Sequence, residues 1–182
     1  MARREVFNKE QILEKCVLYV KEYGIHNLNA RSISQYIGCS TQPIFRHYDN
    51  MSMFKKDLKK YILKDYHNFI NKIIDKDDYL LTISYAYAMY AKEESNLFHA
   101  LFISDLAGSR TVEEVINSNW NRDTINQMKI RYKISLNDAE ILYRDVRFYT
   151  HGIATQLCCK SIILDEKEIY FLIRNMIEKI GG

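Results

Sequence analysis

The sequence predicts an all-α fold. Its longer apolar patterns repeat at three and four residues, the period of one helix face. Glycine and proline are scarce, 6 and 1 in 182 residues, so helices meet few interruptions. Short polar residues that cap helices recur just ahead of the apolar runs. A chain of this length suits one large or two small domains and can bury a real core.

Asn8 caps a first helix reaching about Tyr23, with Ile12, Leu13, Cys16, Val17 and Val20 on one face. Gly24 ends it as a C′ glycine. Asn29 caps a second helix to about Ile37, in which Ile33 and Ile37 point inward beside Leu28. Gly38 makes the next turn, because a tight bend needs a residue that tolerates positive φ. Ser40 caps a third helix, with Ile44 and Tyr48 as its i, i+4 core pair. None of these short helices is stable alone, so their mutual packing must hold them. Asn50 caps a fourth helix to about Ile74, striped by Phe54, Leu58, Tyr61, Ile62, Phe69, Ile70 and Ile73. Its length of roughly 36 Å carries it out of the first module and into a second domain. Further helices are expected at about 78–93, 95–107, 111–132, 136–161 and 165–180. Thr111 with Glu114 and Asp165 with Glu168 read as capping boxes, and Ser135 as a cap.

Charge and composition narrow the function. Net charge is +3, but residues 1–75 carry +5 and the remainder −2. A basic first part with a slightly acidic remainder fits a nucleic-acid module attached to something else. Cys16, Cys39, Cys158 and Cys159 form no CxxC pair and have no histidines at zinc spacing. They read as small apolar residues in a reducing cytosol, the alternative for the Cys158-Cys159 pair being redox activity. His99 and His151 stand alone on their helices, so no metal is expected. No signal peptide and no apolar run of about 18–20 residues is present, which predicts a cytoplasmic protein with no membrane partner. No nucleophile–base pair, paired catalytic carboxylates or glycine-rich phosphate loop stands in plausible context. Neither an enzyme nor a cofactor is expected.

Residues 29–48 carry the chemistry. Two short helices meet at Gly38; the second opens with Ser40, Thr41 and Gln42 and closes with Phe45, Arg46 and His47. That is the layout of a helix-turn-helix whose second helix enters the DNA major groove. Ser40 caps and donates to phosphate. Thr41 and Gln42 reach base edges, Gln pairing with adenine, or else serve as solvated capping groups. Pro43, placed at N3, meets a thymine methyl. Arg46 takes a phosphate or a guanine. His47 donates to phosphate or caps the helix end. Lys55, Lys56, Lys59, Lys60 and Lys64 form a solvated face on the fourth helix that also attracts phosphate at long range.

Residues 8–62 resemble the tetracycline-repressor (TetR) family of bacterial regulators. The matching pattern is Ile12-Leu13, Cys16-Val17, Tyr23-Gly24, Asn29 to Ile33, Ile37 to Ser40, Ile44 to Tyr48, and Phe54. The resemblance covers about a third of the chain. It implies a three-helix DNA-binding module over 5–65, joined by the long helix to an effector-binding and dimerisation domain over 66–182. It implies a homodimer on a pseudo-palindromic double-stranded DNA operator, released by a small-molecule effector. It also gives Arg31 a DNA-contacting role and sets Phe45, in place of the usual tyrosine, toward the DNA. Met51 stands where the family carries a phosphate-binding lysine, and Lys55 or Lys56 replaces it.

The second domain is rich in aromatics. Tyr87, Tyr90, Phe98, Phe102, Trp120, Phe148 and His151 are its pocket candidates, since bundle pockets are mostly apolar with a few polar groups. The last two helices carry apolar stripes: Leu142, Val146, Tyr149, Ile153 and Leu157, then Ile169, Leu172, Ile173, Met176 and Ile177. Two such helices from each subunit make a four-helix bundle, with burial inside one chain as the alternative. A competing function is a helical interaction module that modulates another regulator without touching DNA.

Overall fold

The computed structural model describes residues 7–181. Among them are ten α-helices and one 3₁₀ turn, and no strand, so the fold is all-α. The helices are α1 (Lys9–Tyr23), α2 (Ala30–Ile37), α3 (Gln42–His47), α4 (Met51–Ile70) and α5 (Tyr79–Glu93). They continue with α6 (Ser95–Phe102), α7 (Val112–Ile116), α8 (Asn119–Tyr132), α9 (Leu136–Cys158) and α10 (Glu166–Gly181); the 3₁₀ turn is Ile25–Asn27. The chain divides into two compact units. The first joins the described part of residues 1–67 to Glu94–Gly108, and the second holds Asn68–Glu93 with Ser109–Gly182.

Local chemistry explains the starts and stops in the first unit. Asn8 and Gln11 close a capping box: the Asn8 side chain accepts from the Gln11 amide at 2.9 Å, and the Asn8 amide donates to Gln11 Oε1 at 3.0 Å. Asn29 and Ser32 repeat the arrangement for α2. Gly38 ends α2 with φ 80°, and the Cys39 amide reaches back to the Ser34 carbonyl at 2.9 Å. Tyr19 packs edge-on against Tyr36 at 5.3 Å and joins α1 to α2. Ile12, Leu13, Val20, Ile33, Ile44, Phe54 and Leu58 are buried.

The segment Glu94–Gly108 belongs to this first unit and not to the second domain expected over 66–182. Burial of Leu97, Phe98, Ala100 and Leu101 holds it there, together with four further contacts. Lys21 pairs with Glu94, and the Asn96 side-chain amide donates to the Lys21 carbonyl at 2.9 Å. The His26 and His99 rings meet at 5.0 Å, and Lys59 donates to the Ala107 carbonyl at 2.8 Å. Polar contacts between distant chain segments leave no periodic trace in a sequence.

In the second unit α5 buries residues from Leu80 to Ala91 on every face and packs against α9, α10 and α8. A helix apolar all round belongs in an interior. The core joins Leu80, Leu81, Met89, Ile125 and Met128 to Leu142, Val146, Ile153, Leu157, Ile169, Ile173 and Ile177. The expected capping groups act here: Thr111 with Glu114, Asp165 with Glu168, and Ser135 on the Asp138 amide.

Four helix bounds differ from expectation, the smallest being the end of α9 at Cys158 rather than 161. The helix expected over 111–132 breaks into α7 and α8, because the Asn121 side chain takes the Val115 carbonyl at 2.7 Å and Ser118 starts a new helix. α4 stops at Ile70, short of Ile74, and α6 stops at Phe102, short of 107. After Phe102 the Ser104 hydroxyl donates to the Ala100 carbonyl, and a turn follows to Gly108 with φ 72°.

Ile173→Ala should lower stability by about 2–5 kcal/mol through a core cavity, read as a reduced urea midpoint by circular dichroism. A second expectation concerns acid. Burial, and then the neighbouring His26, push the His99 pKa below its ordinary 6.5. The fold therefore favours neutral His99. Its contribution is complete above the unfolded value and is lost as pH falls through the folded one. Urea midpoints measured from neutral pH downward should fall less steeply in His99→Gln than in the unmodified chain.

Candidate nucleic-acid interface

α3 has one turn and a half, so its neighbours must orient it. Ile44 is fully buried and Tyr48, at the C-terminal cap, is 4 % exposed. The Tyr48 ring stands edge-on to Phe54 at 5.1 Å, with the Lys9 ammonium 4.9 Å from its centroid. Its hydroxyl donates to Asp57 at 3.4 Å. Asp57 also meets Lys60 at 2.8 Å and Lys9 at 2.7 Å, and those hydrogen bonds hold its carboxyl down at about 2. The inward positions of α3 are thereby fixed on α1 and α4.

The outward positions follow from helical geometry. With Ile44 and Tyr48 inside, Gln42, Phe45, Arg46 and His47 are exposed, Phe45 by 50 %. Ser40 is exposed, while Thr41 and Pro43 are half-buried. Arg31, in the first turn of α2, is also exposed. Neither Arg31 nor Arg46 meets a carboxylate among the described residues. The exposed side of α3 combines an amide, a flat apolar ring, a guanidinium and an imidazole. Chemically, it can hydrogen-bond base edges, cover methyl groups and neutralise phosphates.

One feature of the helix start is corrected. Thr41, and not Ser40, is the N-cap residue, with no side-chain bond to the helix, and Pro43 falls at the second helical position rather than the third. Proline removes an amide that needs no partner there. The Ile44 and Phe45 amides share the Thr41 carbonyl at 3.1 and 3.3 Å. Ser40 is therefore not engaged as a cap.

Lys55 is on α4 and half-buried. It lines a cleft of about 650 Å³ with Lys56, Lys59, His26, Asp105 and the first residues of α4. Sequence reading noted the lysines as a helix face but not the cleft, because the opposite wall comes from residues 104–106.

The seven pocket candidates do not form one group. Phe98 and Phe102 lie in the first unit with their rings 5.0 Å apart. In the second unit the Tyr87 hydroxyl and His151 Nδ1 are 2.8 Å apart. Burial raises the Tyr87 pKa, and burial followed by the Arg147 charge lowers that of His151, so both are neutral near pH 7. Tyr90 is fully buried, and Trp120 is half-buried. Phe148 is corrected: it is 60 % exposed and lines no interior. Thr150, next to His151 on α9, has a buried hydroxyl with no hydrogen-bond partner, a feature that no pattern in the sequence signals.

The predicted dimer stripes are corrected too. Leu142, Val146, Ile153, Leu157, Ile169, Ile173 and Ile177 are buried in the second unit's own core. Tyr149, Leu172 and Met176 are partly buried against that core or at its edge. Helical periodicity identifies a buried stripe without saying what buries it. The large exposed apolar residues on these helices are Leu136, Ile141 and Phe148 on α9, and Tyr170 and Phe171 on α10.

Cys16 is buried and its thiol pKa is pushed up to about 12, so it is inert. Among the described residues no three His, Cys, Asp or Glu side chains form a metal-binding group. No helix is long and apolar enough to cross a membrane. No protein-family model and no curated protein sequence matches the chain.

Proposed function

We propose that this chain is a DNA-binding transcriptional regulator of the tetracycline-repressor type, acting in the cytoplasm and without enzymatic activity. The observation that carries the reading is the exposure pattern of α3. Its inner pair is locked into the first unit, while Gln42, Phe45, Arg46 and His47 stand together in solvent. An unpaired guanidinium and a bare phenyl ring on a short anchored helix suit a charged, grooved partner better than water.

The reading extends to a repressor whose second unit takes a small molecule. The buried Tyr87 and Thr150 hydroxyls, with the half-buried His151 beside Tyr87, give that ligand something to recognise amid apolar surroundings. The ligand must bind the DNA-incompetent state more tightly, or it shifts nothing. Two copies bind a pseudo-palindrome with half-sites about one helical turn or more apart, roughly 34–36 Å or longer. The copies meet through Ile141 and Phe148 of α9 and Phe171 of α10 rather than through the buried stripes. Gly152 is exposed with open space above it, which permits close approach of a second helix.

Selection on random duplexes should recover an inverted repeat. Gln42→Ala should relax base preference. Arg46→Ala and His47→Ala should weaken all sequences alike, each reducing the salt slope by about 1. Absence of any salt-dependent duplex binding rejects the reading in favour of an interaction module that does not bind DNA. Sedimentation velocity should give a dimer for the unmodified chain and a monomer for Phe148→Asp, with helical content unchanged. A Phe148→Asp dimer rejects the interface.

A further inference from the structure

We propose that the lysine-lined cleft of the first unit is a binding site for a phosphorylated small molecule. The cleft lies within one unit, between the 3₁₀ turn, the start of α4 and residues 104–106. Its volume of about 650 Å³ lies within the range of small-ligand sites, about 300–1,000 Å³. Lys55, Lys56 and Lys59 fall at i, i+1 and i+4 of α4, and all three line the cleft. Like charges at this spacing repel, and burying part of their stems raises the cost. An anion between them reverses the sign of that interaction.

Neither Lys55 nor Lys56 meets a carboxylate among the described residues. The cleft's single acid is Asp105, on the opposite wall, and it makes no ion pair there. The lining is therefore clearly cationic. Ser52 adds a hydroxyl donor and His26 an imidazole N–H. The first turn of α4 also lines the cleft, and its positive dipole end adds to the lysine field.

The chemistry favours phosphate over carboxylate. Ammonium groups act as point charges and suit a compact anion of high charge, whereas planar carboxylates are best held by a guanidinium fork. The volume exceeds that of a bare phosphate. Met51 and Leu106 offer apolar wall for the body of the molecule that carries it. Lys59 also ties α4 to the Ala107 carbonyl, so an occupant contacts both sides of a link already closed by one hydrogen bond.

The same ammonium groups attract DNA phosphates, and the test separates the two sources. Pyrophosphate is titrated into the full chain by calorimetry at fixed ionic strength. Saturable binding at one site per chain is expected. Lys56→Gln should weaken it by about tenfold, and Asp105→Asn should tighten it by about threefold, as expected for removing one attractive or one repulsive charge. Lys129→Gln, on α8 in the second unit, should leave it unchanged. Lys56 is exposed and unpaired, so its replacement leaves the fold intact, checked by circular dichroism. A parallel titration uses a duplex of random sequence. Pyrophosphate that fails to saturate, or that binds Lys56→Gln equally well, overturns the proposal. Duplex binding weakened by Lys56→Gln without pyrophosphate binding assigns the cleft to the DNA backbone alone and also overturns it. Pyrophosphate binding without duplex binding supports this site while rejecting the DNA-binding function.

Discussion

The environment of Tyr48 is the constraint on which the candidate interface depends. α3 is too short to be stable by its own hydrogen bonds and has no side-chain cap at its start. Its geometry is set from the other end. There an aromatic ring is pressed on Phe54, covered by the Lys9 ammonium and bonded to a carboxylate that two lysines keep ionised. The arrangement uses residues from α1, α3 and α4 at once. Given Tyr48 and Ile44 inside, helical geometry leaves no choice about which side chains face outward. Whatever α3 binds is determined by an interaction that never touches the partner.

Features governed by neighbouring residues were legible in the sequence. The Asn8, Asn29, Thr111, Ser135 and Asp165 caps need only a short polar side chain and an amide three residues on. The Gly38 turn needs only a positive φ. The start of α3 was misread because Ser40 and Thr41 are both good capping types. The choice between them depends on how Pro43 is accommodated. Likewise Leu142, Val146 and Ile153 announce a buried helix face, but a period of 3.6 is the same against a neighbouring helix of one chain or of another. The Arg46 and Phe45 positions were legible because exposure on α3 follows from Ile44 and Tyr48. The cleft beside Lys55 was not, because one wall comes from a segment about 50 residues away.

The two units differ in how they are held. The second is a bundle wrapped around α5, where loss of any one aliphatic side chain is shared among several helices. The first buries an apolar core of its own, with Ile12, Ile33, Ile44, Phe54, Leu97 and Phe98 fully covered, and adds pairwise polar ties to the returning segment: Lys21 to Glu94, Asn96 to the end of α1, Lys59 to Ala107. Such ties weaken with salt or competing anions far more readily than apolar contacts do. The ties to the returning segment, rather than the core, are the part of the first unit that responds to solution conditions, and the same unit contains both the exposed α3 surface and the basic cleft.

The return of Glu94–Gly108 to the first unit has a consequence for synthesis. The residues up to His67 leave the ribosome before their last partners exist. About 41 further residues must follow, which takes roughly 2–8 s at about 5–20 residues per second. During that interval α1 and the base of α4 lack the side chains of α6 that later contact them. The nascent module therefore cannot complete its core until residue 108 emerges. Lengthening the excursion between His67 and Glu94 extends that period without altering any contact of the finished unit.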